Sequence, residues 1–199
     1  MRLADVRILA WCLMTNHVHW IVVPEREGSL PQFFRHLQGR YAQGVNARRG
    51  RVGHLWQNRY FACVLDRAHL WTAIRYVEWN PARAKMVENP TDYRWSSAGL
   101  HVRGPEAERP ALLDWQFWRE QGGATAWSEM LRVEDGDRRV AELRSSTYCG
   151  KPFGSEEFVR EQEERFGRVW RTPGRPKKTP QLETGPDPCG TVSQFSIGA

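Results

Sequence analysis

Between Ala10 and Pro24 the chain reads Ala-Trp-Cys-Leu-Met-Thr-Asn-His-Val-His-Trp-Ile-Val-Val-Pro, and Trp20 to Val23 is apolar and mostly β-branched. Such a run suits a buried strand, and a strand turns residues two apart toward the same face. His17 and His19 therefore point one way. Val6 to Leu13 is a second, nearly continuous apolar run, and Met14-Thr15-Asn16 is the short turn that pairs the two as a β-hairpin. Two neutral imidazoles on a rigid strand make a metal clamp with open sides for substrate. For a bare His-x-His, an ordinary strand whose histidines cap a surface or bond to backbone is the commoner outcome.

The rest of the chain decides what faces that pair. Its 199 residues hold one fair-sized domain with appendages, or two small ones. A hydrophobic content of 40% with ten tryptophans is enough for a core and excludes a fully disordered chain. The net charge of +6, from 29 Lys and Arg against 23 Asp and Glu, suits a polyanionic partner, nucleic acid first. Cys12, Cys63, Cys149 and Cys189 form no Cys-x-x-Cys pair, so neither a zinc knuckle nor a disulfide framework is expected. With no leader-like or membrane-spanning run, the expected setting is soluble, cytoplasmic and nucleoid-associated, with no membrane partner.

From Leu30 to Ala47, apolar residues recur at three- and four-residue intervals, the pattern of a helix with one buried stripe. Arg35, His36, Arg40, Arg48 and Arg49 lie off that stripe and Arg51 follows it. With Arg59 they form a candidate DNA-contacting surface, the alternative being a solvated helix exterior. Phe61 to Leu65 is a third strand candidate, and His54 either joins the metal site or bonds locally. Asp66 to Val87 is the second long helix, capped by Asp66 and ended or kinked near Asn80 by Pro81. Tyr76 and Asn80 are four apart and share one face of it. A tyrosine hydroxyl is a weak nucleophile near pH 7, but it attacks phosphorus when a metal neutralises the phosphate, and a carboxamide oxygen one turn away can complete the ligand set. On spacing alone, a half-buried core tyrosine is the commoner outcome.

Three ordered motifs resemble the single-tyrosine HUH transposases: Leu13-Met14-Thr15-Asn16-His17-Val18-His19, Gly53-His54-Leu55-Trp56-Gln57-Asn58-Arg59-Tyr60, and Arg75-Tyr76-Val77-Glu78-Trp79-Asn80-Pro81-Ala82-Arg83-Ala84. The run Gly150-Lys151-Pro152-Phe153-Gly154-Ser155-Glu156-Glu157-Phe158-Val159 is similar to the C-terminal signature of the REP-associated tyrosine transposase branch. The resemblance implies a nuclease and strand transferase that acts on single-stranded DNA hairpin repeats, with Mg²⁺ or Mn²⁺ as cofactor. It implies that His17, His19 and Asn80 hold the metal and that Tyr76 is the nucleophile, forming a 5′-phosphotyrosine link. Family members carry a strand and helix ahead of the hairpin, and here Met1 stands only a few residues before it. The expectation is therefore a shortened catalytic domain, with a late start, a truncated relic or a second chain in the gap as the alternatives.

After Gly104-Pro105, short helices are expected over Ala111 to Glu120 and Gly136 to Ser145, with another after Ser155 that Gly167 ends. Arg171, Arg175, Lys177 and Lys178 complete the candidate DNA contacts, within a Pro173 to Lys178 run similar to an AT-hook core; a solvated basic tail is the alternative. The division expected is a catalytic domain over 1–100, a helical connecting region over 101–150, a basic DNA-binding extension over 151–178 and a disordered tail over 179–199. The fold class expected is α+β, with a ferredoxin-like antiparallel sheet, helices on one face and a small helical extension. The function expected is transposition-type cleavage and transfer, or else hairpin binding by an inactive relic. Whether the chain is a monomer or a homodimer is left open.

Overall fold

A computed structural model of the chain describes residues 5–57, 59–107, 112–133, 137–170 and 195–196. The hairpin forms as its apolar runs dictate. Strand β1 (Val6–Leu13) pairs antiparallel with β2 (Val18–Pro24), with Cys12 opposite His19 and Trp11 opposite Trp20. The register slips between Ile8 and Ala10, so Leu9 has no partner across the ladder. This bulge lets Leu9 and Ala10, neighbours in sequence, enter the same buried cluster. A two-residue strand β3 (Phe195–Ser196) runs parallel to β2 along its other edge.

Helix α1 (Ser29–Arg49) covers one face of this sheet, helix α2 (Leu70–Arg83) the other. The alternation of β2 decides which residue meets which helix. Trp20 and Val22 pack with Ile8 against Phe33 and Phe34 of α1. Ile21 and Val23 pack against Ala73, Ile74 and Val77 of α2 in the other cluster. The α+β class with an antiparallel hairpin is thus what forms, and its helices shield both faces where one was expected.

Asp66 caps the start of α2's segment as expected, through a 3₁₀ turn over Arg67–His69 whose Ala68 N–H bonds its carboxylate. Pro81 sits inside α2 and does not end it; the helix continues to Arg83. A proline has no N–H for the carbonyl four residues earlier, here that of Val77. The Asn80 side-chain amide donates to that carbonyl at 3.4 Å, which keeps the last turn tied. The third strand candidate is much shorter than expected. A parallel bridge joins Leu65 to Phe153 there, with Asp66 N–H bonding Phe153 O and Phe153 N–H bonding Val64 O.

The C-terminal half folds onto α2. Helices α3 (Ala98–Arg103), α4 (Trp115–Glu120), α5 (Gly123–Arg132), α6 (Asp137–Cys149) and α7 (Glu156–Phe166) follow. Trp127, Met130 and Leu131 of α5 and Val140 and Leu143 of α6 belong to the same buried cluster as α2. Helix α7 begins on the Ser155 hydroxyl, which accepts from Phe158 N–H, and ends at Gly167 with φ of 57°. Arg171, Arg175, Lys177 and Lys178, the AT-hook-like run and most of the tail lie outside the described residues. Among the described residues no helix is long and apolar enough to cross a membrane. Cys12 and Cys63 are buried free thiols that burial pushes up to about 12, and Cys149 is free and exposed.

A buried polar node holds β1, α2 and α3 together. Glu78 is fully buried; one of its oxygens accepts from Ser97 Oγ at 2.5 Å and lies 2.6 Å from His101 Nδ1. Ser97 Oγ in turn accepts from Trp11 N–H. Glu78→Ala leaves Ser97 and His101 without that acceptor and is expected to cost about 3–5 kcal/mol. Urea unfolding should show a lowered midpoint with an unchanged slope. At Gly154 an added Cβ would lie 2.6 Å from Phe158 Cδ1 and closer still to Asp66 Cβ, so that one of these groups or the backbone must shift. Gly154→Ala is expected to cost about 1–3 kcal/mol, read as a lowered melting temperature.

Candidate active site

The site forms where the hairpin turn meets the buried stripe of α2. His17 O accepts from Met14 N–H at 2.9 Å, which closes the turn. Its ring lies half-buried at the mouth of β2, with Nδ1 2.7 Å from Asn16 Oδ1. Two residues on, His19 is buried on the α2 face at 3% exposure. The two rings meet edge to face, with centroids 4.8 Å apart. The expectation that both imidazoles turn to one side is met.

The same geometry keeps them uncharged. Burial holds His17 below the ordinary histidine range, and the Arg144 guanidinium adds to it. His19 is held well below that range by burial first, then by His17, Arg83 and Arg144. A neutral imidazole offers a lone pair, which is the form a metal takes. Two neutral imidazole nitrogens, with the Asn80 amide oxygen as a third donor type, suit a divalent cation by their chemistry, and that donor set contains no carboxylate. Among the described residues no group of three or more His, Cys, Asp and Glu comes together.

Tyr76 lies across from His19, ring centroids 5.7 Å apart and nearly perpendicular. Helical spacing places Asn80 and Arg83 along the same stripe. The Asn80 amide nitrogen is engaged with Val77 O, so its carboxamide oxygen is the atom left to ligate. Arg83 returns to Tyr76 twice, its guanidinium donating to the Tyr76 carbonyl and stacking 4.6 Å from the ring centre. From α6, Arg144 Nε donates to the Tyr76 hydroxyl at 3.2 Å. Tyr76 is therefore bracketed by two guanidinium groups and an imidazole.

The basic residues expected to contact DNA take other positions. Arg35 and Arg40 line a shallow depression on the outer side of α1, away from the α2 face that carries His19. Arg48, Arg51 and Arg59 are exposed, as is His54, which stands in the loop after α1. Arg49 alone of these connects toward the histidines. A cavity of about 290 Å³ runs between the hairpin turn and the end of α1, lined by His17, Trp20, Leu37, Tyr41, Trp56 and Arg49 among others. The sequence reading missed two residues of the site. Arg83, seven after Tyr76, could have been found from helical spacing; Arg144, sixty-eight positions away, carried no local signal.

Residues 2–80 match the family model described as "Transposase IS200 like". Comparison with curated proteins and with solved structures returns no match. The matched stretch contains the hairpin, all of α1, Asn80, and the three residues His17, His19 and Tyr76 whose rings are in contact. Over residues 2–80, then, the chain is similar to the IS200-like transposases, a family of DNA-processing enzymes.

Proposed function

We propose that this chain cuts and rejoins single-stranded DNA at hairpin-forming repeats, in the manner of the REP-associated branch, with Tyr76 as the attacking group. The observation that carries this reading is the Tyr76 ring packed on His19, whose partner His17 is neutral and in ring contact with it. A tyrosine in an ordinary core position has no reason to meet one of a pair of metal-competent imidazoles and a hydroxyl-bonded guanidinium.

In the step proposed, the Tyr76 oxygen bonds to the scissile phosphorus as the bond from phosphorus to the 3′-oxygen breaks. The phenol proton passes through solvent and the departing 3′-oxygen takes one up. The DNA 5′ end is then joined to the protein and a 3′-hydroxyl is free. Because the phosphodiester energy is kept in the new bond, a second 3′-hydroxyl can reverse the attack and join strands. His17, His19 and the Asn80 carboxamide oxygen would hold Mg²⁺ or Mn²⁺, which when bound neutralises and polarises the phosphate. Mg²⁺ seeks oxygen ligands, so two nitrogen donors favour Mn²⁺ of the pair.

A single-stranded partner suits the surface around the site. Tyr41 and Trp56, with ring centres 5.6 Å apart at the cavity rim, offer stacking faces for unpaired bases, and Arg49 offers a phosphate contact. The exposed arginines of α1 and the loop after it would track the backbone of the hairpin stem. A second reading, hairpin binding without cleavage, is favoured by one observation: Tyr76 is only 4% exposed.

The test uses the purified chain with a labelled single-stranded hairpin from its flanking DNA, run on a denaturing gel. With Mn²⁺, wild type is expected to yield a shifted covalent band and Tyr76→Phe none, with affinity for the probe largely kept. A band from both would rule out Tyr76 as nucleophile. EDTA, or His17→Ala with His19→Ala, is expected to remove the band while leaving a salt-dependent complex in a native gel. A salt-dependent complex with no band in any lane would favour the binding reading.

A further inference from the structure

Resting on Tyr76 as the attacking group, we propose that Arg144 of α6 belongs to the reaction centre, where its guanidinium binds the scissile phosphate and steadies the Tyr76 oxygen as it attacks. This makes a segment outside the matched residues 2–80 part of the chemistry. Arg144 Nε donates to the Tyr76 hydroxyl, the atom that would form the new bond. That contact uses one of five N–H donors in a planar fork whose geometry matches two phosphate oxygens. Tyr76 is buried and Arg144 is exposed, so a phosphate coming from solvent to the hydroxyl meets Arg144 on the way.

The placement of Arg144 is built into the fold. Val140, Leu143 and Thr147 form the buried stripe of α6, and Val140 and Leu143 enter the cluster that contains Tyr76 and Val77. At the end of α6, Gly150 turns the chain with φ of 61°, and the next residues lie along the strand remnant after Ala62. Cys63 Sγ donates to Lys151 O at 3.0 Å, and Phe153 bridges Leu65. Asp66, the cap at the start of α2's segment, also accepts from Ser155 N–H. The Gly150 to Ser155 run therefore pins α6 to the strand and cap that lead into the tyrosine helix. Nothing in a plain packing role explains why the arginine of this stripe's edge bonds the hydroxyl.

No proton transfer is assigned to Arg144, which keeps its charge throughout; its N–H groups bond oxygens whose negative charge grows as the phosphorus is attacked. Removing such a donor is expected to slow the step on the order of 100-fold. The experiment follows the rate of the covalent band with the same hairpin probe and Mn²⁺, for wild type, Arg144→Ala, Arg144→Lys and Tyr76→Phe, each with and without guanidinium chloride at concentrations well below denaturing. Melting temperatures and probe affinities are measured alongside. Expected is a roughly 100-fold slower band for Arg144→Ala, a smaller loss for Arg144→Lys, and partial restoration of the alanine variant by guanidinium, which does nothing for Tyr76→Phe. A wild-type rate in Arg144→Ala overturns the assignment while the nucleophile stands. A loss that neither lysine nor guanidinium relieves, with a lowered melting temperature, makes Arg144 a packing residue and also overturns it. No band from wild type removes the phosphotyrosine reading and this inference together.

Discussion

The pairing of β1 with β2, buried on both sides, is the constraint from which the rest of the architecture follows. A strand sends alternate side chains to opposite faces, and here both faces are dry. His19, Ile21 and Val23 belong to α2; Trp20 and Val22 belong to α1. A slip of one residue would turn His19 into the α1 core and Trp20 toward the tyrosine, so the register is tied to the site as firmly as to stability. The bulge at Leu9 bends β1 without disturbing the pairing of Cys12 with His19.

Helix α2 is buried on several sides at once, and each side carries a different load. Tyr76 faces the His19 imidazole, Val77 and Ile74 fill the core, and Glu78 reaches Ser97 and His101. A buried carboxylate with two short hydrogen bonds is a costly feature to keep, and its effect is to fix the rotation of α2 about its own axis. That rotation determines whether Tyr76 meets His19. Pro81 would loosen the last turn, and the Asn80 amide and the Arg83 return to the Tyr76 carbonyl keep it closed.

The residues after the matched stretch serve the site as well as extending the chain. The Gly150 to Ser155 run, resembling a family signature, works here as a clasp: its backbone bonds the strand remnant at Val64 to Asp66, and Gly154 fits where no side chain could. The clasp holds α6, and α6 carries Arg144, whose guanidinium donates to the Tyr76 hydroxyl.

Local chemistry was legible in the sequence. Period-two and period-four patterns suffice to place the hairpin, α1, most of α2, the shared side of His17 and His19 and the Tyr76–Asn80 pair, because each depends on neighbours within a few residues. The Ser155 cap and Gly167 stop of α7 were legible for the same reason. The tertiary structure decided what depends on distant partners. Proline 81 is tolerated within α2 because a side chain compensates for its missing N–H. The third strand shrinks to a bridge because its pairing partner is Phe153, about ninety residues on in the chain, and Arg144 reaches Tyr76 only because α6 docks on α2. Sequence patterns report the face a residue presents, whereas what meets that face is set by packing between segments that share no local signal.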